Sequence, residues 1–338
     1  MLFSRRSAAI FLLVLPATLL AAASRAKPTS PDNATAYKGA IVVDAATGNV
    51  LYEDRADIVN PPASMTKLMT FAVLHDRIAS GALALTTPVK ITIEDSKIGG
   101  TQVYLDPRET FPVEELIYAM MIQSANDAAH ALARATAGSV PAFVEQMNAK
   151  AKALGMTHTT FRTPHGLPPS SRNTADGDLT SPRDFALLCR HLLQNTPVLQ
   201  YTSVRTRDFA PERAKGSQHM ENHNKLLGKV AGVDGLKTGY TASAGYCTSI
   251  TALRNGRRVI VVVMGSLGPG GQIDKGKTRD LKAVELLERG FAALPPMATP
   301  PVIAATPKNS SGLTPAPRKA APADAPAESA VKFNLPKK

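Results

Sequence analysis

The 338-residue sequence predicts an α+β fold: one antiparallel five-stranded sheet flanked by helices, with a helical subdomain inserted in mid-chain. Three observations carry that expectation. Two strand-length runs flank a turn near residue 45, three more follow residue 230, and the long stretch between them has helical periodicity. The simplest assembly pairs early and late strands in a single sheet, with the helices inserted between them. It also lets residues distant in sequence converge at the sheet edge.

The first element, YKGAIVVDAATGNVLYEDRAD (37–57), reads as two strands around a turn at Ala45 to Gly48. ASMTKLMTFAVLHDRIASG (63–81) reads as a helix ended by Gly81, apolar on most faces and therefore central and buried. Residues 85–110 hold short β-like runs such as PVKITI, with loops between them. Helical stretches come next at PVEELIYAMMIQ, NDAAHALARAT and VPAFVEQMNAKAKALG. RTPHGLPPSSRNTADGDLT (162–180) is rich in turn residues, and SPRDFALLCRHLLQ (181–194) returns to a helical pattern. VDGLKTGYT, GYCTSITALRNG and RRVIVVVMGS are strand-length and separated by Gly or Asn-Gly, and the amphipathic helix TRDLKAVELLERGF closes the domain.

Both ends fall outside that domain, which is expected over residues 36–292. Residues 1–26 have a basic start (Arg5, Arg6), an apolar run from Ala8 to Ala23 and small residues at Ser24 and Ala26. That is the pattern of a cleaved secretory signal peptide, and the run is short for a bilayer span. The protein is therefore expected to be exported, to the periplasm or cell envelope. Residues 293–338 form a basic Pro/Ala-rich tail with ten of the chain's 26 prolines and almost no large apolar side chains, a composition expected to stay disordered.

Charge and cysteine content narrow the classes further. Three positive charges of the formal +12 lie in the leader and a net four in the tail, which leaves +5 for the body. With no basic-aromatic cluster, nucleic acid is excluded as a partner, whereas an anionic polymer or envelope surface suits the tail. The two cysteines, Cys189 and Cys247, sit in a helical and a strand-like stretch. Export permits a disulfide between them, and two separately buried thiols satisfy the pattern equally well.

Three short pieces carry chemistry. PPASMTKLMT puts Ser64 and Lys67 about one helical turn apart, just after prolines that favour a helix start. The hydroxyl then lies beside an amine at the positive end of a helix, either as an activated serine or as an ordinary cap. QSAND places Ser124 and Asn126 at the junction of two helical stretches, where a bend directs both the same way. GLKTGYT sets Lys237, Thr238 and Gly239 on a strand, and Gly239 permits a close approach to it. Two other features point to no chemistry. His219 and His223 in HMENH have a spacing that suits zinc on a helix, but no third ligand is evident, so they read as a solvated loop near the cleft. Glu145 in VEQMN reads as part of a helix face.

S-x-x-K, S-x-N and K-T-G in that order form the signature of the penicillin-binding protein and serine β-lactamase superfamily. From about Tyr37 to Phe291 the chain resembles the D-alanyl-D-alanine carboxypeptidase family, the low-molecular-mass penicillin-binding proteins. The resemblance runs through VDAATGNVLYEDRAD, PPASMTKLMT, SANDAA, VEQMNAKAKALGM, VDGLKTGYTASAGYC and TRDLKAVELLERGF. It implies a β-lactamase/transpeptidase-like fold and a serine acyl-transfer mechanism without metal or other cofactor. Ser64 would be the nucleophile, Lys67 the base, Ser124 a proton relay and Asn126 an orienting group, with the backbone of Ser64 and Tyr240 as oxyanion hole. Lys237, Thr238, Gly239 and Arg279 would bind substrate.

The implied partners are peptidoglycan stem peptides, and β-lactams as covalent inhibitors. Within the family the motifs do not separate a carboxypeptidase from a cross-link endopeptidase. A non-catalytic peptidoglycan- or penicillin-binding protein is a further alternative. A β-lactamase is disfavoured because no glutamate for a deacylating water is apparent. Many family members add an all-β domain and an amphipathic anchor helix. Here VKFNLPKK is too short and is broken by Pro336, so no C-terminal anchor is evident, and contact with a membrane surface stays open as an alternative.

Overall fold

The computed structural model describes residues 37–295, so the leader and nearly all of the tail lie outside the described residues. The chain opens with the hairpin β1 (Gly39–Asp44) and β2 (Val50–Asp54), and a 3-10 turn at Ala63–Thr66 leads into α1 (Lys67–Ala79). β3 (Pro88–Lys90), α2 (Ile93–Ser96) and β4 (Thr110–Pro112) precede the helices α3 (Val113–Tyr118), α4 (Asn126–Ala137) and α5 (Val140–Ala153). Then come α6 (Pro182–Asn195), α7 (Val198–Thr202) and a short hairpin, β5 (Thr206–Phe209) with β6 (Gln218–Glu221). The strands β7 (Val233–Thr241), β8 (Gly245–Arg254) and β9 (Arg257–Ser266) and the helix α8 (Lys277–Ala293) complete the order.

The five-stranded sheet has the order β2-β1-β9-β8-β7 and is antiparallel throughout, so early and late strands join as the sequence predicts. The joint is β1 against β9, with Ile41 opposite Val262. β9 reads as a continuous apolar run because both of its faces are covered. Val259, Val261 and Val263 point to the core under α8, with Ala283, Leu286 and Leu287. Ile260, Val262 and Met264 point to the opposite core, shared with Phe71 of α1 and Phe185 and Leu188 of α6. The side-chain period of two sorts one strand between two cores.

Capping fixes where the helices begin. Ser181 accepts from the Asp184 backbone N–H at 3.2 Å, with Pro182 at the first helical position of α6. Ser139 does the same for α5. In α1 every residue from Lys67 to Leu74 is buried, which makes it the expected central helix. No helix of the described residues is long and apolar enough to cross a membrane.

Three readings of the sequence need correction. The PVEELIYAMMIQ stretch is not one α-helix: α3 widens into a π-turn at Ala119–Gln123. The β5–β6 hairpin adds strands where the sequence shows no strand pattern, because among its large side chains only Phe209 and Met220 are buried, too thin an alternation to read. HMENH, read as a solvated loop, is a loop only in part: both histidines are exposed, but its first residues belong to β6. His219 lies on β6 with its ring 2.7 Å from Asp208, while His223 falls in the loop beyond. Among the described residues no cluster of three or more metal-type ligands is present. Cys189 and Cys247 are both buried and unbridged, and Glu145 is exposed on α5.

Gly290 marks how closely α8 lies on the sheet, since a Cβ there would sit 2.6 Å from Val42 Cγ1 and 2.9 Å from Val259 Cγ1. Leucine favours helices, so any loss in Gly290→Leu reports packing. Overpacking two stiff β-branched neighbours is expected to destabilise the protein by about 1–3 kcal/mol, read as a lowered Tm. An unchanged Tm would mean that the helix does not pack this tightly.

Candidate active site

The site begins at the turn that precedes α1. Ala63 takes φ +49, an uncommon conformation for a non-glycine residue. Gly166 packs directly over it, and a Cβ at Gly166 would meet the Ala63 carbonyl oxygen at 2.0 Å. The turn then presents Ser64 within its 3-10 segment, and Lys67 opens α1 with a side chain that is 0% exposed. Lys67 Nζ lies 3.1 Å from Ser64 Oγ, 2.6 Å from Asn126 Oδ1 and 2.9 Å from the His165 carbonyl oxygen.

Burial in this setting disfavours the ammonium. It holds the Lys67 amine well below the usual lysine range, with the nearby charge of Lys237 acting in the same direction and Asp178 and Asp127 against it. A neutral amine has two N–H groups and one lone pair. If Asn126 and His165 take the two N–H groups, the lone pair is left facing the Ser64 hydroxyl. The same three contacts also satisfy an ammonium, so the site accepts a proton without rearranging.

The second wall comes from the break between α3 and α4. After the π-turn, Ser124 adopts φ +63, and its buried Oγ has no hydrogen-bond partner among the described residues. A left-handed non-glycine residue and a buried orphan hydroxyl each cost on the order of 1–3 kcal/mol. Both costs fall on one residue, a pattern concentrated at functional sites. Two residues on, Asn126 gives Nδ2–H to the Gly99 carbonyl at 2.8 Å and its backbone N–H to Thr101 at 2.8 Å. The adjacent Asp127 carboxylate accepts from the N–H of Val103 and Leu105 at 3.3 and 3.0 Å. Loop 99–105 is thereby pinned to the start of α4.

The third wall is the edge strand β7. Lys237 is 3% exposed, and burial, followed by the charge of Arg279, lowers its pKa to about 7. Its Nζ donates to the Thr238 carbonyl at 3.2 Å, and Thr238 is itself buried. At Gly239 a Cβ would stand 2.7 Å from the Pro62 carbonyl oxygen and 2.9 Å from the Ser64 nitrogen, so only glycine lets the strand run against the serine turn. Tyr240 is 40% exposed and stacks on Tyr246 with ring centroids 4.2 Å apart. Arg279, at the start of α8, is buried, pairs with Asp280 at 2.7 Å and lies 5.9 Å from the Tyr246 ring centre. It is thus both an ion-pair partner and a charge felt by Lys237.

The structure joins Ser64, Lys67 and Asn126 by direct contact, Gly239 by close approach, and Lys237 and Arg279 through their charges. Sequence reading missed the His165 carbonyl, Gly166, Thr66 and Asp178, which hold the turn and the lysine. A main-chain acceptor leaves no sequence signal, and the turn-rich 162–180 segment gave no reason to expect a packed loop.

Solved proteins share this architecture. Penicillin-binding protein D2 from Listeria monocytogenes, in its ampicillin-bound form, superposes with a TM-score of 0.65 at 33% identity, covering 76% of this chain and 98% of that one. The D-alanyl-D-alanine carboxypeptidase of Mycobacterium tuberculosis H37Rv gives a TM-score of 0.68 at 28% identity, covering 78% and 94%. Sheet order, inserted helices and the meeting of the three motifs define a protein of the penicillin-binding, transpeptidase-like class. Residues 25–268 match the D-alanyl-D-alanine carboxypeptidase family, and the chain belongs to it. It is 33% identical over 255 residues to D-alanyl-D-alanine carboxypeptidase DacF of Bacillus subtilis, covering 75% of this chain and 62% of that protein. It is 35% identical over 257 residues to DacA of Escherichia coli K12, covering 74% and 60%. The chain therefore spans about three-fifths of the length of these curated relatives.

Replacing Gly239 by alanine is expected to force β7 and the serine turn apart, destabilising the protein by about 1–3 kcal/mol. Gly99→Ala, where a Cβ meets nothing within 4 Å, is the control. Equal Tm values for the two variants would contradict the close approach.

Proposed function

We propose that the protein is an exported serine-type D-alanyl-D-alanine carboxypeptidase that removes the terminal D-alanine from peptidoglycan pentapeptide stems. The observation that carries this reading is the fully buried Lys67 amine, 3.1 Å from the Ser64 hydroxyl. Ser64 Oγ attacks the carbonyl carbon between the two D-alanines as its proton passes to the Lys67 lone pair. The carbonyl oxygen becomes an oxyanion held by the backbone N–H groups of Ser64 and Tyr240, each donor worth about 3–4 kcal/mol. The C–N bond then breaks, and the departing amine takes a proton relayed through Ser124 Oγ. Water hydrolyses the resulting ester and returns Ser64.

The remaining residues bind. The Lys237 ammonium, with the Thr238 hydroxyl and the Arg279 charge behind it, attracts the free carboxylate that distinguishes a chain end. Asn126 orients both Lys67 and the substrate amide. A β-lactam presents an acyl group and a carboxylate in the same relation, so it acylates Ser64 and leaves slowly. Residues 1–26 deliver the chain to the periplasm or cell envelope, where the substrate is.

Mass spectrometry of pentapeptide-rich, cross-linked sacculi treated with the mature protein tests the reading. Monomers are expected to lose one alanine, and Ser64→Ala is expected to leave them intact. Conversion of dimers to monomers would instead establish an endopeptidase, and no change in either would favour a binding protein. A pH series tests the carboxylate site. Because Lys237 is lowered to about 7, its ammonium fades as pH rises through that value. KM is then expected to climb by up to about tenfold per pH unit above it. Lys237→Arg, which stays charged, flattens that rise, and a wild-type KM constant to pH 9 would remove Lys237 from the carboxylate site.

A further inference from the structure

Asp178 is a buried carboxylate, 4% exposed, in a loop that the proposed mechanism leaves unused. It accepts four hydrogen bonds. The backbone N–H groups of Arg162 and Thr163 donate to Oδ1 at 2.6 and 2.9 Å, and the hydroxyls of Thr66 and Thr163 donate to Oδ2 at 2.9 and 2.8 Å. Four donors and no acceptor suit an ionised carboxylate, even though burial pushes its pKa upward.

The two arms of this network end at the reacting pair. Thr66 belongs to the 3-10 turn that holds Ser64, and it immediately precedes Lys67. Thr163 opens the loop whose next carbonyls meet α1: Pro164 accepts from Thr70 Oγ1 at 2.6 Å, and His165 accepts from Lys67 Nζ at 2.9 Å. Thr163 Oγ1 also accepts from the Gly166 N–H at 2.8 Å, and Gly166 is the residue packed over Ala63. Bridges from Thr180 to Asn60 and from Leu179 to Thr160 hold the segment that carries Asp178.

We propose that Asp178 is a positioning residue for the Ser64–Lys67 pair, tying the serine turn to the loop that presents the His165 carbonyl and setting the electrostatic balance at the lysine. This rests on the reading of Ser64 and Lys67 as nucleophile and base. The charges around Lys67 are Lys237 on β7, Asp127 at the start of α4 and Asp178 from its own loop. His165 is kept neutral by burial and by Lys67, its pKa lowered to about 3. Asp178 therefore supplies one of two negative charges that favour the Lys67 ammonium. Removing that charge lowers the lysine's pKa further, so the neutral amine persists to more acid pH.

The test is the second-order rate of acylation by a fluorescent penicillin from pH 4 to 9, with the mature full-length protein. Wild type must label and Ser64→Ala must not; failure of either refutes the nucleophile reading, whereas the role of Asp178 is read from the shape of the pH profile. Asp178→Asn keeps the shape of the side chain and an acceptor for the two backbone N–H groups, while its NH2 replaces the oxygen that accepts from the Thr66 and Thr163 hydroxyls. Its acid limb is expected to move to lower pH by on the order of one unit. A slower rate at every pH with an unmoved limb would reduce Asp178 to a structural residue and overturn the inference. Thr66→Val keeps the charge and cuts one tether. It is expected to lower the plateau rate by roughly three- to tenfold without moving the limb. If Asp178→Asn does not fold, Thr66→Val decides alone, and a wild-type rate there overturns the proposal.

Discussion

The structure depends on keeping one amine out of water. Lys67 has no exposed surface, and its Nζ is surrounded by a hydroxyl, an amide oxygen and a main-chain carbonyl. A solvated lysine at the same place would be an ammonium at neutral pH and could not take a proton from anything. The packing of α1 under the helical layer, the loop that brings His165 and the break that brings Asn126 all serve the same end. They replace water around the amine with acceptors that satisfy either protonation state.

That requirement explains where the fold concentrates strain. Ser124 in the left-handed region, its orphan hydroxyl, the π-turn before it and the positive φ of Ala63 all lie within a few residues of the amine or its partners. The sheet that supports them is unstrained by comparison, with β9 buried on both faces and long registers to β1 and β8. A rigid sheet and a central helix let a few uncomfortable backbone conformations persist because the surroundings over-determine them.

The sheet and the three walls of the site were legible in the sequence. β7, β8 and β9 are long and bounded by Gly or Asn-Gly, and Ser64, Lys67, Ser124, Asn126 and Lys237 stand in short motifs at meaningful spacing. The 162–180 loop that brings His165 and Asp178 to them was not legible, for physical reasons. The His165 contribution is a carbonyl, which every residue has. Asp178 looked like one more turn former in an Asp- and Gly-rich loop, since a buried acid differs from an exposed one only in what surrounds it. The π-turn has the same apolar periodicity as the helix it interrupts, so Ala119–Gln123 could not be told from α3. The β5–β6 hairpin buries too little to leave an alternating trace.

Grouping three cations in one cleft works against folding when each is counted alone, yet each changes the meaning of the next. Arg279 stays charged whatever its surroundings and has Asp280 as a partner. Its field, added to burial, brings Lys237 to a pKa of about 7, where the ammonium survives but a bound anion is strongly favoured. Lys237 in turn presses on Lys67, which has lost its water entirely and whose pKa is held well below the usual lysine range by that burial first and by Lys237 second. The result is a chain of like-charge influence that runs from the guanidinium through Lys237 to the amine beside Ser64. In the proposed reaction, a substrate carboxylate arriving at Lys237 would neutralise part of that field. It would raise the proton affinity of Lys67 at the moment the serine proton has to be accepted.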